Sequence, residues 1–322
     1  MRGKTNLGFI SALSSGVAWS IDTILIGIIL AKTPFIDTAE AVALAPFVST
    51  FLHDSISAIW VSIYNMFRGE FKGVFKAITS RSGRYIMLAA LMAGPLGMTA
   101  YMLSIKYVGP AYAASITAFY PALGALLAFI FLKEPMNGRI WSGIILSIIG
   151  VIILGYSPSQ ISASGTTFLI GVGFALLTVV GWALESVICA YGMKDDVTPE
   201  QALNIRQLTS GIFYAIILMP ILKGYPIVIE TAKSFNIVTI GITALVGTMS
   251  YLFYYNAINM IGAARSTALN ITYSMWAIVI QVLFMGMKLN GQLLLGSIIV
   301  ITGSILVAVN PKELLGASKK AA

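Results

Sequence analysis

Charge is scarce in this chain: only 10% of its 322 residues are Asp, Glu, Lys or Arg, against roughly 25% in soluble domains. Cysteine is nearly absent. The single copy, Cys189, excludes internal disulfides and thiolate metal clusters and reads as a small packing residue. The single histidine, His53, cannot build a metal site alone. No Gly-x-x-x-x-Gly-Lys loop and no serine/histidine/carboxylate set is evident, so neither ATP hydrolysis nor covalent catalysis has support. The expectation is a protein that is not an enzyme and needs no metal or cofactor.

What the chain has in excess is apolar: 58% of residues are hydrophobic and the mean hydropathy is +0.89. That composition belongs to a multi-pass membrane protein. A net charge of +8 would suit nucleic acid, but the basic residues sit between apolar runs, which reads as membrane topology. Met1-Arg2-Gly3-Lys4 is briefly basic, as in a signal peptide. The apolar run 8–31 is too long for one, lacks an Ala-x-Ala exit and carries Asp22, so it reads as the first spanning helix.

A spanning helix needs roughly 20 apolar residues. Ten runs qualify: 8–31, 41–67, 84–107, 111–132, 139–156, 166–192, 200–222, 236–260, 263–287 and 290–309. The links are short and often contain Gly or Pro, as in Val108-Gly109-Pro110, Glu134-Pro135-Met136-Asn137-Gly138, Ser157-Pro158-Ser159 and Ile261-Gly262-Ala263. With both termini in the cytoplasm, the cytoplasmic segments hold 14 Lys and Arg and the opposite side 5, a bias that supports this orientation in the cell (inner) membrane.

The chain also repeats itself. At an offset of 153, Gly94 falls on Gly247, Tyr101 on Tyr254, Gly109 on Gly262, Tyr120 on Tyr273, Gly143 on Gly296 and Gly150 on Gly303. At an offset of 163, Trp19 and Asp22 fall on Trp182 and Glu185. Residues 1–156 and 157–310 are therefore read as two five-helix repeats, with a cytoplasmic tail at 311–322. Five is odd, so the second copy must sit inverted in the membrane. Inverted repeats are an architecture of secondary transporters, with the substrate site near the midplane between the halves.

Trp19-Ser20-Ile21-Asp22 and Trp182-Ala183-Leu184-Glu185 each place an acid three residues after an indole, on one helix face. An ionisable side chain at membrane depth is costly and usually functional. An acid beside a π face suits a small organic cation. Tyr120, Tyr251, Tyr254, Tyr255, Tyr273 and Trp276 complete the candidate aromatic cage, whereas Trp60, Tyr64, Trp141 and Tyr156, near predicted helix ends, read as interface residues. His53, Asp54, Arg206 and Gln207 form a third group. The offset of 153 sets His53 on Arg206 and Asp54 on Gln207. An Asp54–Arg206 ion pair would neutralise two buried charges, and a gating or proton-coupling role is the alternative. Gly94-Pro95-Leu96-Gly97 and Tyr120-Pro121 put helix breakers at membrane depth, read as sites of close packing in preference to hinges.

Ten helices in two inverted repeats resemble the drug/metabolite transporter superfamily, EamA type, over essentially the whole chain. Several stretches are closer still to the LicB-type choline transporters: Ala93-Gly94-Pro95-Leu96-Gly97-Met98, Ala118-Phe119-Tyr120-Pro121, Trp182-Ala183-Leu184-Glu185-Ser186-Val187, Ile205-Arg206-Gln207, Ser250-Tyr251-Leu252-Phe253-Tyr254-Tyr255 and Leu269-Asn270-Ile271-Thr272-Tyr273-Ser274-Met275-Trp276, together with His53-Asp54. The resemblance implies uptake of choline or a close relative by alternating access, with Glu185 as counter-charge and the lipid bilayer as the other partner. In that group the first-half Trp is not followed by an acid, so Asp22 inherits no role. An exporter of amino acids or aromatic metabolites is the competing expectation, with Arg206 holding a carboxylate. A non-transporting membrane enzyme or assembly protein is the reading from another class, against which the repeat and the empty catalytic inventory weigh.

Overall fold

The computed structural model describes residues 2–133, 136–156, 165–192, 197–261 and 263–308. Among them all regular structure is helical, with no strand. In order these are α1 (Arg2–Leu30), α2 (Ala39–Phe67), α3 (Phe71–Thr79), α4 (Arg81–Leu91), α5 (Thr99–Thr117), α6 (Tyr120–Leu127) and α7 (Gly138–Gly155). The chain continues with α8 (Thr166–Gly192), α9 (Pro199–Phe213), α10 (Met219–Leu222), α11 (Tyr225–Lys233), α12 (Asn236–Ile261), α13 (Ala263–Asn270), α14 (Tyr273–Met285) and α15 (Gly291–Ala308).

Helix starts are set by short polar side chains that satisfy first-turn amides. Thr38 accepts from the Ala41 amide, Ser80 from Gly83 and Asn137 from Ile140. Thr198 and Gln201 form a full capping box ahead of α9, with Pro199 at its first position.

Nine helical stretches among the described residues are long and apolar enough to cross a membrane. The expected third and fourth helices account for the difference from ten. Arg81–Thr117 runs as one apolar stretch through Gly109, whose φ of 80° and ψ of 165° interrupt the helix at a single residue instead of a loop. Glycine tolerates that positive φ, and Pro110 has no N–H to lose. Tyr120–Leu132 is left as a shorter apolar helix. Two short helices, α3 and α11, occupy stretches taken from the sequence as links, and the offset of 153 carries 71–79 onto 224–232.

Proline leaves a local mark. Around Pro95 the helix widens into a π-helical turn, Met92–Met98, because the ring removes an amide donor and displaces the preceding carbonyl. The break at Tyr120-Pro121 has an image without proline. α5 ends at Thr117 and α6 starts at Tyr120, while α13 ends at Asn270 and α14 starts at Tyr273, each pair 153 apart.

Close packing relies on glycine. A Cβ on Gly143 would lie 2.6 Å from the Gly303 carbonyl oxygen, and one on Gly150 would lie 2.9 Å from that of Gly296, so α7 and α15 meet backbone to backbone. A Cβ on Gly97 would sit 2.9 Å from Trp182 Cδ1, which makes the Gly94–Gly97 segment a seat for an indole. Glu134-Pro135, Ser157-Pro158-Ser159, Gly262 and the tail 311–322 lie outside the described residues.

Candidate functional site

A cavity of about 370 Å³ lies among α1, α4, α6, α8, α9, α12, α13 and α14, within the ~300–1,000 Å³ range of small-molecule sites. Trp19, Tyr120, Trp182 and Tyr273 line it from four helices, and Tyr251, Tyr254 and Tyr255 line the α12 side. From there the wall runs along Glu185 and Cys189 to Val197, Pro199 and Ala202 at the start of α9.

The rings hold one another. Trp19 meets Trp182 edge-on at 5.7 Å between centroids and Tyr251 at 5.6 Å, while Tyr120 stands perpendicular to Trp182 at 5.8 Å. Hydroxyl tethers fix several orientations: Tyr273 pairs with Thr117 at 3.0 Å and Tyr254 with Thr267 at 2.5 Å. Behind the wall, fully buried Tyr101 packs 5.2 Å from Trp182 and bonds Thr23 at 2.7 Å. Tyr101 is a supporting ring that sequence reasoning recognised only as a repeat marker. Asn270, also in the wall, donates to Ser15 Oγ at 2.7 Å and was not singled out as a site residue.

The two charged groups in the wall neutralise each other. Arg206 Nε donates to Glu185 Oε1 at 2.6 Å, with side-chain exposures of 8% and 24%. The guanidinium also lies 5.1 Å from the centre of the Tyr251 ring and donates to Gln207 Oε1 at 3.0 Å. This corrects the expected Asp54–Arg206 pair. Asp54, on α2, stands opposite Ser210, which lies one turn beyond Arg206 on α9, and accepts from its hydroxyl at 2.5 Å, while Arg206 turns toward α8. Gln207 Nε2 in turn donates to Ser57 Oγ at 2.9 Å. The offset of 153 exchanges these last two bonds, Asp54–Ser210 becoming Gln207–Ser57.

A second buried cluster stands apart from the cavity wall. His53 Nε2 is 3.0 Å from Asp22 Oδ1, and His53 Nδ1 is 3.3 Å from Asp54 Oδ1. Glycines at 94 and 247, again 153 apart, make room for it. A Cβ on Gly247 would lie 2.9 Å from Asp22 Oδ1, and one on Gly94 would fall on Ser210 Oγ. Asp22 is completely buried, and its Oδ2 meets no partner among the described residues.

Two expected cage members are therefore displaced. Asp22 faces His53, and Trp276 is 37% exposed on the outside of α14; neither lines the cavity. The reason is the same for both. Residues three apart on a helix differ by about 60° in direction; on α1 and α14 that angle turns Asp22 toward His53 and Trp276 outward, whereas the rotation of α8 leaves both Trp182 and Glu185 on the cavity.

Comparison with known proteins gives the family. The description "EamA-like transporter family" covers residues 6–156 and again 169–309. The chain belongs to the EamA-like transporter family. It is similar to "Protein LicB" of Haemophilus influenzae, 32% identical over 84% of this chain and 87% of that protein. An "Uncharacterized transporter" of Clostridium kluyveri is 24% identical over 71% of this chain and 73% of its own length. A solved crystal structure, at 15% identity and a TM-score of 0.58, shares the fold over 95% of this chain and 97% of its own. The protein is thus a multi-pass membrane transporter of the drug/metabolite transporter superfamily, and its curated relatives include named transporters.

Proposed function

We propose that this transporter carries a small organic cation of the choline class, by alternating access between two inverted five-helix halves, 1–156 and 157–310. The observation that carries the reading is Glu185 in the wall of an aromatic cavity. A quaternary ammonium has no N–H to donate, so recognition must come from shape, π faces and one opposite charge, which Trp19, Trp182, Tyr251 and Glu185 supply. The reciprocal Asp54–Ser210 and Gln207–Ser57 bonds and the paired helix breaks support the inverted halves. The bias of Lys and Arg toward one set of links favours both termini in the cytoplasm, across ten crossings of the cell (inner) membrane.

Arg206 adds a step. A bound cation must share Glu185 with the guanidinium or take it away, and an arginine left unpaired in a low-dielectric wall is costly. Ligand entry is thereby tied to movement of α9 against α8. An inside-negative potential favours uptake by about 2.3 kcal/mol per charge per 100 mV.

The same ion pair favours a second reading, since Arg206 beside Glu185 suits the two ends of an amino acid. Calorimetry and thermal shift on the purified protein decide between them. Binding of choline and tetramethylammonium, lost in Glu185→Gln while the protein stays folded, supports the cation reading. Binding of amino acids without quaternary amines overturns it.

A further inference from the structure

The segment joining α2 to α4 concentrates exposed positive charge. Arg68, Lys72, Lys76, Arg81 and Arg84 are all exposed, and none forms an ion pair among the described residues. Aromatic rings are interleaved with them: Phe67 is 88% exposed and Phe75 59%. The single acid of the stretch, Glu70, is occupied, accepting from Thr198 Oγ1 at 3.1 Å. The image of this stretch in the second part of the chain, 219–237 around α11, holds only Lys223, Glu230 and Lys233. The basic patch therefore belongs to one end of the bundle and is no general property of the short helices.

The opposite face of α3 packs behind the cavity wall. Val74 and Ala77 pack with Ile86, Val197 and Ile205 in one buried cluster. Ile86 and Val197 belong also to the cavity wall, and Ile205 precedes Arg206. Gly73 abuts the Gln201 amide, and Asn65 Nδ2 donates to the Glu200 carbonyl at 3.2 Å. α3 and the end of α2 are thus clamped to the first turns of the helix that carries Arg206.

We propose that residues 66–84 form a binding site for anionic phospholipid headgroups, and that its occupancy seats α3 against α9 and holds the part of the cavity wall made by Ile86 and the start of α9 in the arrangement seen here. Lysine and arginine bind the lipid phosphates, while Phe67 and Phe75 enter the acyl boundary beside them. A helix with basic side chains on one side and rings at its edge fits a membrane surface in both respects. The site does not depend on what the cavity transports.

The test uses the full chain in vesicles of phosphatidylcholine alone or with phosphatidylglycerol. Cys189, the single cysteine, lines the cavity and reports on that wall through its rate of reaction with a membrane-permeant maleimide. Phosphatidylglycerol is expected to speed that reaction several-fold and to co-purify with the protein. Both effects should disappear in the Lys72→Gln/Lys76→Gln/Arg81→Gln triple variant and persist in the control Lys223→Gln/Lys233→Gln. All five positions lie outside the cavity wall and are at most partly buried, so the fold should tolerate the changes. Equal labelling in the two lipids, or equal loss in the control, overturns the proposal. Neither result bears on choline binding, which is read separately by calorimetry.

Discussion

Asp22 and Glu185 follow a tryptophan at the same spacing, yet they end in different chemistry. Glu185 stands in the cavity wall, 24% exposed, bonded to an arginine on a neighbouring helix. Asp22 is completely buried against His53, which also meets Asp54. One acid is within reach of a ligand; the other belongs to a joint between α1 and α2 that continues through Asp54 to Ser210 on α9. A duplicated sequence device does not make a duplicated site, because the neighbours on either side differ: an arginine faces one acid and a histidine the other.

Removing His53 attacks the joint most directly. His53→Ala leaves Asp22 and Asp54 facing each other without the group between them, and a loss of about 3–5 kcal/mol in unfolding stability is expected. Thermal unfolding of the purified protein reads it. If that variant is as stable as wild type, the cluster holds nothing together. Glu185→Gln has its main effect on the ligand: affinity for a quaternary ammonium should fall about 100-fold, or ~2.7 kcal/mol, by calorimetry. The drop in melting temperature should be smaller than for His53→Ala, because Glu185 is partly open to water.

Asp22→Asn sharpens the contrast between the acids. It keeps the shape and one hydrogen-bonding oxygen, and ligand affinity should change by less than about threefold, or ~0.65 kcal/mol. A loss as large as that of Glu185→Gln would put Asp22 back into the site. Trp182→Leu tests the π face that both copies share, with about tenfold weaker binding expected from the ~1–2 kcal/mol of a desolvated cation–π contact. Tyr273→Phe removes only the tether to Thr117. It should cost about 1 kcal/mol of stability, while changing affinity less than Trp182→Leu does.

Much of the architecture could be read from the chain. Apolar runs marked the spanning helices, and glycines such as Gly143 and Gly303, legible only as repeat markers, lie at a backbone contact that the folded protein makes. The spacing also drew attention to Trp182 and Glu185, both now found in one cavity wall. What it could not supply was rotation. Nothing in the order of residues tells that Arg206 turns toward Glu185 and away from Asp54, since the three lie on separate helices. Trp276 was unreadable for the same reason, because its neighbour Tyr273 fills the inward arc. α3 and α11 escaped notice because nine-residue amphipathic helices carry too little apolar length to stand out between longer runs.

The sequence alone determined that this is a repeated, helical membrane protein with few charges and an aromatic interior, because hydrophobic length and periodicity are local properties that survive without any tertiary contact. The tertiary structure alone decided which acid meets which base. Helix phase and crossing are set by packing between distant segments, such as the close approach of Gly97 to Trp182 and Gly247 to Asp22. That packing placed Glu185 in the cavity and Asp22 in the joint.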